Sequence, residues 1–494
     1  MPERRRTPVA VSSILAGFRR PMRVFRNTPD SRFYPVLDSA NRLPSLPLRS
    51  LDSSALSSFL FVVRCGQERE PPYTSFHILS VQLLVNNIRQ LVSVRRNGQP
   101  YRAGAAMRDV SVLEGADVLI EDGLFRWIGP AGTSGSPVDE DADTIDASGQ
   151  VALPGFVDSH THLLFAGSRE HEFAMRVEGK TYQEIAEAGG GILNTVQATR
   201  AASKKELKKL ASKRLDEMMK FGTTTVEIKS GYGLDADQEI KMLEAVNELA
   251  DEHFMTIVPT FLGAHAFPPE FKDNPDAYVE IICARMLPYV AKRKLARFCD
   301  VFCESGYFTV DQSRRILLKA QSLGLRSKLH ADQLSQSGAS KLGAELKAVS
   351  VDHLEQIDDD GINALKKSGS IAVVLPGVSF FLHYGYPPAR KIIDAGVPLA
   401  LASNFNPGSC MAFSMPLMMT IACTQMNLTI EEAITASTLN GASALGMSDV
   451  VGSIEVGKQA DMVLFDVPDY RQIPYFFGTN LASTIIKRGT ILEF

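Results

Sequence analysis

The feature that most constrains this 494-residue chain is a series of short apolar runs that alternate with amphipathic stretches. Eight such runs predict β-strands, at 151–157, 223–228, 256–262, 298–302, 325–329, 348–351, 371–375 and 397–402. Helical periodicity lies between neighbouring runs, for example over 204–221 and 312–323. Strands that are apolar on both faces and separated by helices form parallel sheets, and eight of them predict an α/β fold of the (β/α)8 barrel type over 151–450.

Shorter β-type runs flank this segment on both sides. The runs at 78–85, 117–121 and 125–128 precede it, and Asp122-Gly123 is a turn signal between the last two. The stretches at 452–457, 460–465 and 484–492 follow it and have the same pattern. We therefore expect 77–150 and 451–494 to combine into one small β-sandwich domain.

The segment before residue 77 has a different composition. The first 50 residues contain ten Arg, no Lys and three acidic residues, and the segment is rich in Ser and Pro without clear periodicity. This composition is typical of a disordered tail and equally of an organellar transit peptide. A wrongly assigned start codon would produce the same pattern, so residues 1–76 are predicted only to be an extension outside the folded domains.

Composition narrows the class of protein. The net charge of −4, from 52 basic and 56 acidic residues, lacks the positive excess of a nucleic-acid-binding protein. No apolar run approaches the roughly 18 residues that span a bilayer. The six cysteines form no CxxC pair, so we expect a reducing compartment rather than a disulfide framework. A small neutral or anionic metabolite is the expected partner.

Four of the nine histidines follow predicted barrel strands, where the active site of such a barrel lies. His160 and His162 follow the first strand two residues apart, and strand side chains two apart share a face. His330 and His353 follow the fifth and sixth strands. An isolated HxH pair is often structural, but four histidines on one rim predict a catalytic metal with about three protein ligands and an open position.

Several motifs carry a resemblance to a known family. The segment Gly155-Phe-Val-Asp-Ser-His-Thr-His162 resembles the amidohydrolase superfamily. Longer motifs narrow the resemblance, and they begin at His162, Glu187, Lys229, Leu262, Asp300, His330, Asp352 and Asn404. Together they are similar to the imidazolonepropionases of histidine degradation, over about residues 77–494.

The resemblance implies one Zn or Fe ion held by His160, His162, His330 and a residue after the eighth strand. In the family that fourth residue is Asp, whereas this chain has Asn404, and 396–416 contain no acidic residue. Lys229 follows the second strand rather than the fourth, so we expect an ion-paired lysine instead of the carboxylated lysine of two-metal relatives. Cys299 and Cys303 are expected in the core.

The resemblance also implies the substrate contacts, which are Arg169, Tyr232, His265, Gln333, Asn406, Gly408 and Ser409, with His353 near the attacked carbonyl. His353, Gln333 and His265 are the predicted catalytic residues. The planar fork of Arg169 suits a substrate carboxylate. From the residues alone, a solvated Arg169 paired with Glu170 or Glu172 is favoured, and only the resemblance reverses this. Tyr232 could be a packed aromatic. His265 could be a satisfied loop histidine, and Asn406-Pro-Gly408 an ordinary turn.

The implied reaction is hydrolysis of the cyclic amide of 4-imidazolone-5-propanoate to N-formimidoyl-L-glutamate. A metal would lower the pKa of the attacking water and polarise the carbonyl. Two alternatives stay open: an amidohydrolase-fold protein with weak or lost activity, suggested by Asn404, and a hydrolase or deaminase for another carboxylate-bearing heterocycle. The resemblance further implies a homodimer and a cytoplasmic location, unless the extension directs organellar import.

Overall fold

The computed structural model describes residues 82–133, 138–139, 142–180, 184 and 189–493. The predicted extension 1–76 and the start of the predicted run 78–85 lie outside the described residues. The strands are β1 (Gln82–Val92), β2 (Val112–Glu121), β3 (Leu124–Pro130), β4 (Asp143–Asp146), β5 (Val151–Pro154), β6 (Phe156–Asp158), β7 (Thr223–Lys229), β8 (Thr256–Ala264), β9 (Phe298–Cys303), β10 (Arg326–Ala331), β11 (Ser350–His353), β12 (Ile371–Val374), β13 (Leu399–Leu401), β14 (Met462–Phe465), β15 (Ala482–Lys487) and β16 (Thr490–Leu492).

Helices connect the barrel strands and also follow the last of them, and one helix lies between β14 and β15. They are α1 (Glu170–Val177), α2 (Ile192–Ala201), α3 (Lys204–Lys220), α4 (Ala236–Glu252), α5 (Pro275–Ile281), α6 (Leu287–Lys292), α7 (Val310–Ser322), α8 (Ala339–Glu345), α9 (Asp359–Ser368), α10 (Pro376–Leu382), α11 (Ala389–Asp394), α12 (Met415–Gln425), α13 (Ile430–Ser437), α14 (Leu439–Ala444) and α15 (Gln472–Tyr475). Side-chain caps define several starts: Thr309 and Gln312 form a capping box at α7, and Thr429 and Glu432 form one at α13. The predicted helices 204–221 and 312–323 correspond to α3 and α7.

The predicted barrel is present. Strands β6 to β13 pair in parallel and in chain order, and every residue of β7 and β9 is buried. The ends of β6 and β13 are joined by an isolated bridge between Thr161 and Asn404. The Asn404 N–H donates to the His160 carbonyl at 3.0 Å, and the His162 N–H donates to the Phe405 carbonyl at 3.1 Å. The barrel is therefore closed at the seam where the predicted metal ligands lie.

The prediction of one strand over 151–157 was wrong in one respect. Residues 151–154 form β5 of the second sheet, and only 156–158 form barrel strand β6. The break falls at Gly155, where an added Cβ would lie 2.2 Å from the Thr224 hydroxyl oxygen. Because the chain passes so close to β7 at this point, only a glycine fits, and the chain leaves one sheet and enters the other there.

The two flanking segments combine into one β domain, as predicted, and the described strands of this domain form one mixed eight-stranded sheet, where a β-sandwich was expected. Its strand order is β16, β15, β14, β5, β1, β2 and β3, and β4 pairs with β1. β14 from the C-terminal flank pairs with β5 antiparallel and so joins the two flanks. The predicted strand at 452–457 is absent from the described structure, because Gly452 and Gly457 have φ of +85° and +87° and the chain turns there.

The largest apolar core lies between the barrel and its helices, and a second core lies on the small sheet. Cys299 and Cys303 are buried in the first, as predicted. Among the described residues, no helix is long and apolar enough to cross a membrane.

Candidate metal centre and active site

Three of the four rim histidines converge on one point. The His162 Nε2 atom lies 3.3 Å from Nε2 of His160 and 3.3 Å from Nε2 of His330. All three side chains are buried, and one ring nitrogen from each falls within 4.8 Å of the others. His160 and His162 directly follow β6, and His330 belongs to β10. The first and fifth strands of the barrel therefore supply the cluster.

Carboxylates fix two of these rings from behind. The Nδ1 atom of His160 lies 2.7 Å from Asp352 Oδ2, and Nδ1 of His330 lies 3.1 Å from Asp300 Oδ2. The hydrogen bond from His160 Nδ1 to Asp352 leaves the His160 Nε2 lone pair free for a ligand, which is how metal-binding histidines are commonly oriented, and a proton on His330 Nδ1 next to Asp300 would have the same effect. Burial lowers the pKa of His160 and of His162 well below the ordinary value, so both rings are neutral, as metal coordination requires.

Below the histidines lies a set of fully buried charges, which we call the buried ion cluster: Glu227, Lys229, Asp300, Lys328 and Asp352. Lys229 Nζ lies 2.7 Å from both Glu227 Oε2 and Asp300 Oδ2. Burial opposes a charged lysine, but these carboxylates outweigh it and raise the Lys229 pKa above its ordinary value. Lys229 is thus the ion-paired lysine that the sequence predicted.

Asn404 follows β13 and is buried beside the histidines. Its φ of +66° lies in the left-handed region, which asparagine tolerates better than most residues. Its Nδ2 donates to the Ser409 hydroxyl at 2.8 Å, and its Oδ1 is buried without a hydrogen-bond partner. A buried acceptor without a donor is costly, and a bound cation would satisfy it.

The donor set fits a transition metal. Three neutral imidazole nitrogens suit Zn or Fe, and an amide oxygen is a weaker fourth donor. A single cation is a group that one nitrogen of His160, His162 and His330 could bind at the same time, so their convergence supports a metal site.

The histidines open into a cavity of about 450 Å³. All of the predicted substrate and catalytic residues line it: Arg169, Tyr232, His265, Gln333, His353, Asn406, Gly408 and Ser409. Ile192, Phe302, Tyr307 and Leu382 contribute apolar wall, so the cavity combines a few polar groups with apolar surface, as small-molecule sites do. The predicted motif beginning at Glu187 lies partly outside the described residues.

Arg169 is the cationic group of this cavity. Its Nε and Nη2 donate to the two Glu172 carboxylate oxygens at 2.9 and 2.6 Å, and the Gly191 N–H also donates to Glu172. The Arg169 side chain is only 12% exposed, so it is not a solvated arginine. The ion pair with Glu172 that this alternative included is present. An added Cβ at Gly408 would lie 2.0 Å from Nη1 of Arg169. The guanidinium therefore lies directly against the loop after β13.

Tyr232 and His265 lie on the other side of His162. The His265 ring stacks on His162 at 4.8 Å, and its Nδ1 donates to the Gly231 carbonyl at 3.0 Å. Burial lowers the pKa of His265 to about 3, so the ring is neutral and its Nε2 is an acceptor. The buried Tyr232 hydroxyl has no hydrogen-bond partner, although an ordinary packed tyrosine normally finds one.

His353 and Gln333 complete the rim. The His353 ring lies 5.1 Å from His330 and 5.5 Å from His160, and its Nδ1 lies 3.5 Å from Glu355 Oε1. Gln333 lies on a loop whose backbone is held by Glu304, which accepts the N–H groups of Leu334 and Ser335.

Three glutamates shape the site without having been predicted as site residues: Glu172, Glu239 and Glu304. Glu172 was named only as a possible partner of a solvated Arg169. Glu239 on α4 accepts the N–H groups of Gly231, Gly233 and Leu234, which fixes the loop that carries Tyr232. Each has the appearance of a solvated glutamate, because its acceptor role depends on a loop that folds back onto it. Of the three, Glu304 alone has a position that indicates the active-site rim, because it directly follows the barrel strand β9.

Comparison with known proteins identifies the family. The amidohydrolase family model matches residues 151–491. The chain is 47% identical to an imidazolonepropionase of Geobacillus kaustophilus (strain HTA426), over 83% of this chain and 97% of that relative. It is 44% identical to an imidazolonepropionase of Alkaliphilus oremlandii (strain OhILAs), over 84% of this chain and 98% of that one.

Two solved structures share the fold at low identity. An adenosine deaminase from Xanthomonas campestris with bound zinc superposes with a TM-score of 0.62 at 20% identity, covering 83% of this chain and 92% of that one. An atrazine chlorohydrolase from Arthrobacter aurescens TC1 complexed with zinc gives 0.60 at 16% identity, covering 83% and 94%. With these matches, the histidine centre and the closed barrel, the chain belongs to the amidohydrolase family and, within it, to the imidazolonepropionases.

Proposed function

We infer that this chain is an imidazolonepropionase that hydrolyses the ring amide of 4-imidazolone-5-propanoate to N-formimidoyl-L-glutamate. One observation carries the inference: the three-histidine centre and the Arg169 guanidinium face the same cavity. A hydrolytic centre at one end and a carboxylate anchor at the other match a substrate that has a cyclic amide and a propanoate chain. The relatives at 44–47% identity bear this name over almost their whole length.

We propose His160, His162 and His330 as ligands of one Zn or Fe ion, with Asn404 Oδ1 as the fourth donor. When bound, the ion supplies Lewis acidity to the scissile carbonyl and lowers the pKa of water. Asp352 and Asp300 hold the ligand rings from behind, and Lys229 holds those carboxylates. The protein thus presents a rigid, neutral donor set.

The other side chains bind and orient the substrate. Arg169 has its Nε edge occupied by Glu172, which leaves Nη1 on the cavity side for the propanoate carboxylate. The unpartnered Tyr232 hydroxyl and the free Nε2 of His265 are donor and acceptor for the polar edge of the ring. The Gln333 amide and the turn from Asn406 to Ser409 provide further hydrogen bonds.

Proton transfer is assigned to His353. The Asn404 amide is no useful base at neutral pH, so it cannot take a proton from the attacking water. His353 lies between the ligand rings of His160 and His330 and the cavity, and its Nδ1 faces Glu355. We propose that its Nε2 accepts the proton of water and passes it to the leaving ring nitrogen.

Metal analysis and turnover test this function together. We expect about one Zn or Fe per chain, with freshly generated imidazolone propanoate hydrolysed and dihydroorotate, another cyclic amide with a carboxylate, left intact. His160→Ala should lose both metal and activity, because two imidazoles are too few to close the site. An empty wild-type protein grown with adequate metal, or a fully active His160→Ala, would overturn the assignment. Hydrolysis of dihydroorotate without hydrolysis of imidazolone propanoate would favour the alternative function, a hydrolase for another carboxylate-bearing heterocycle.

A second candidate, an enzyme with weakened or lost activity, is favoured by the amide at 404. General-base assistance contributes about 10² to 10⁴ in rate. If Asn404→Asp raises turnover at least about tenfold, the native chain is an enzyme with weakened or lost activity. If the change has little effect or lowers turnover, while His353→Ala abolishes it, the native base is His353.

The remaining features are proposals from family resemblance and composition. We propose the domain division 1–76, 77–150, 151–450 and 451–494, and a homodimer, for which light scattering in solution is the test. We propose a cytoplasmic location unless residues 1–76 direct import, which a fusion of that segment to a fluorescent reporter would reveal.

A further inference from the structure

We propose that Ser409 is a positioning residue for the metal centre, because its hydroxyl fixes which end of the Asn404 amide faces the ligand histidines. The Asn404 Nδ2 donates to Ser409 Oγ at 2.8 Å, so Oδ1 is the atom left to face the site. That oxygen is buried and has no other partner. The proposal rests on the metal site of the proposed function, but it differs from the expectation that Ser409 contacts substrate.

The backbone holds both residues in place. The Asn404 N–H donates to the His160 carbonyl at 3.0 Å, which ties residue 404 to a proposed ligand that follows the neighbouring strand β6. The loop that carries Ser409 is closed by hydrogen bonds between Asn406 and Cys410 in both directions, at 2.7 and 3.0 Å. Since both backbones are fixed, the serine hydroxyl has a constant position from which to accept the amide proton.

The chemical reason for such a partner lies in the difference between an amide and a carboxylate. A carboxylate has two equivalent oxygens, so either orientation presents a ligand to a cation. An amide has one oxygen that can bind a cation and one NH₂ group that repels it. Rotating the Asn404 amide by half a turn would place the NH₂ group at the metal. In a reversed amide the Ser409 hydroxyl would have to turn and donate to Oδ1, so the hydrogen bond from Nδ2 accompanies only the orientation that presents Oδ1 to the site. With aspartate at residue 404 the two orientations are equivalent, and this distinction disappears.

A double-mutant cycle on zinc affinity tests this dependence. Wild type, Ser409→Ala, Asn404→Asp and the double variant are stripped of metal with a chelator. Zinc dissociation constants are then measured by competition with a chromophoric chelator, without substrate. Loss of a residue that orients a ligand typically costs 10- to 100-fold in metal affinity. We expect Ser409→Ala to weaken zinc binding about tenfold in the wild-type background and less than about twofold beside Asn404→Asp.

Ser379→Ala is the matched control. Ser379 is a buried serine on α10 whose hydroxyl donates to the Gly385 carbonyl, and it does not line the cavity. Its zinc affinity should equal that of the wild type, which separates the proposed effect from a general loosening of the rim.

Two results would overturn the proposal. One is an equal effect of Ser409→Ala in both backgrounds, which would mean that the hydroxyl does not act through the amide. The other is unchanged zinc affinity with a raised KM, which would make Ser409 a substrate contact. The zinc measurements themselves do not depend on turnover of imidazolone propanoate. If the proposed reaction fails while the cycle succeeds, the substrate assignment is wrong and the role of Ser409 stands.

Discussion

Replacing Lys229 by methionine tests whether the buried ion cluster stabilises the fold. Methionine has a similar length and no charge, so the change removes the ammonium without creating a clash. It leaves the Glu227 and Asp300 carboxylates, each 2.7 Å from the missing Nζ, without that partner. The Asp352 carboxylate, 3.7 Å away, also loses it.

The expected cost follows from burial. All of these side chains have no exposed surface, so water cannot solvate the remaining carboxylates. Lys328 compensates only in part, because its Nζ lies 3.0 Å from Glu227 and 3.9 Å from Asp352. Removing one partner of a buried ion pair costs about 3–5 kcal/mol. We therefore expect Lys229→Met to lower the free energy of unfolding by about 3–5 kcal/mol.

Urea unfolding in the presence of a chelator measures this cost without a contribution from bound metal. The free energy difference is taken from the shift of the midpoint and the m-value. Lys341→Met is the control, since Lys341 is half-exposed and lies 2.9 Å from Asp358 at the surface. Such a surface pair contributes little to stability, because water screens it. A Lys229→Met variant that loses no more than this control would refute the reasoning.

Three further outcomes are expected. Arg169→Lys should raise KM about tenfold and leave kcat within about twofold, because an ammonium cannot hold Glu172 with two parallel hydrogen bonds and also present a further N–H to the substrate carboxylate, and it does not contact the metal ligands; an unchanged KM in steady-state kinetics would remove Arg169 from the substrate site. Deleting residues 2–75 should leave metal content and turnover intact, since β1 begins at residue 82; loss of folding would move the boundary. Burial raises the pKa of the Cys410 thiol to about 12, so only about 10⁻⁴ of it is thiolate at pH 8. Cys410 should therefore resist a disulfide reagent until the protein unfolds, and rapid labelling of the native protein would contradict this.

The barrel was predictable because each strand is buried on both faces and therefore apolar along its whole length. Seven of the eight runs fall within a few residues of the strands. The exception is the run 151–157, which is continuously apolar although its first part lies in the small sheet and its second part in the barrel. Hydrophobicity gives no signal of the point at which the chain passes from one sheet to the other. The signal was Gly155, which the close approach of Thr224 requires.

The chemistry of the site was predictable where residue type and strand position coincide, as for His160, His162 and His330. Their supporting residues were less visible. Asp300 and Asp352 stand in quoted motifs, but only the fold shows that they face histidine Nδ1 atoms. Glu172 lies one turn from Arg169, a spacing equally typical of a surface ion pair. Which end of the Asn404 amide faces the site depends on a hydroxyl five residues away, and sequence carries no information on that orientation.

The seam between β6 and β13 has a consequence for local unfolding. The Asn404 and His162 amides that close it are the backbone groups of proposed ligands, so an ion bound there would connect the first, fifth and eighth strands across the mouth of the barrel. Local opening of a native protein begins where the fewest hydrogen bonds must break. Metal removal should therefore accelerate amide hydrogen exchange at Asn404 and His162 more than in the paired interior of β7 to β9. The slowest-exchanging part of the barrel should then be β7 to β9, which contain none of the proposed ligands.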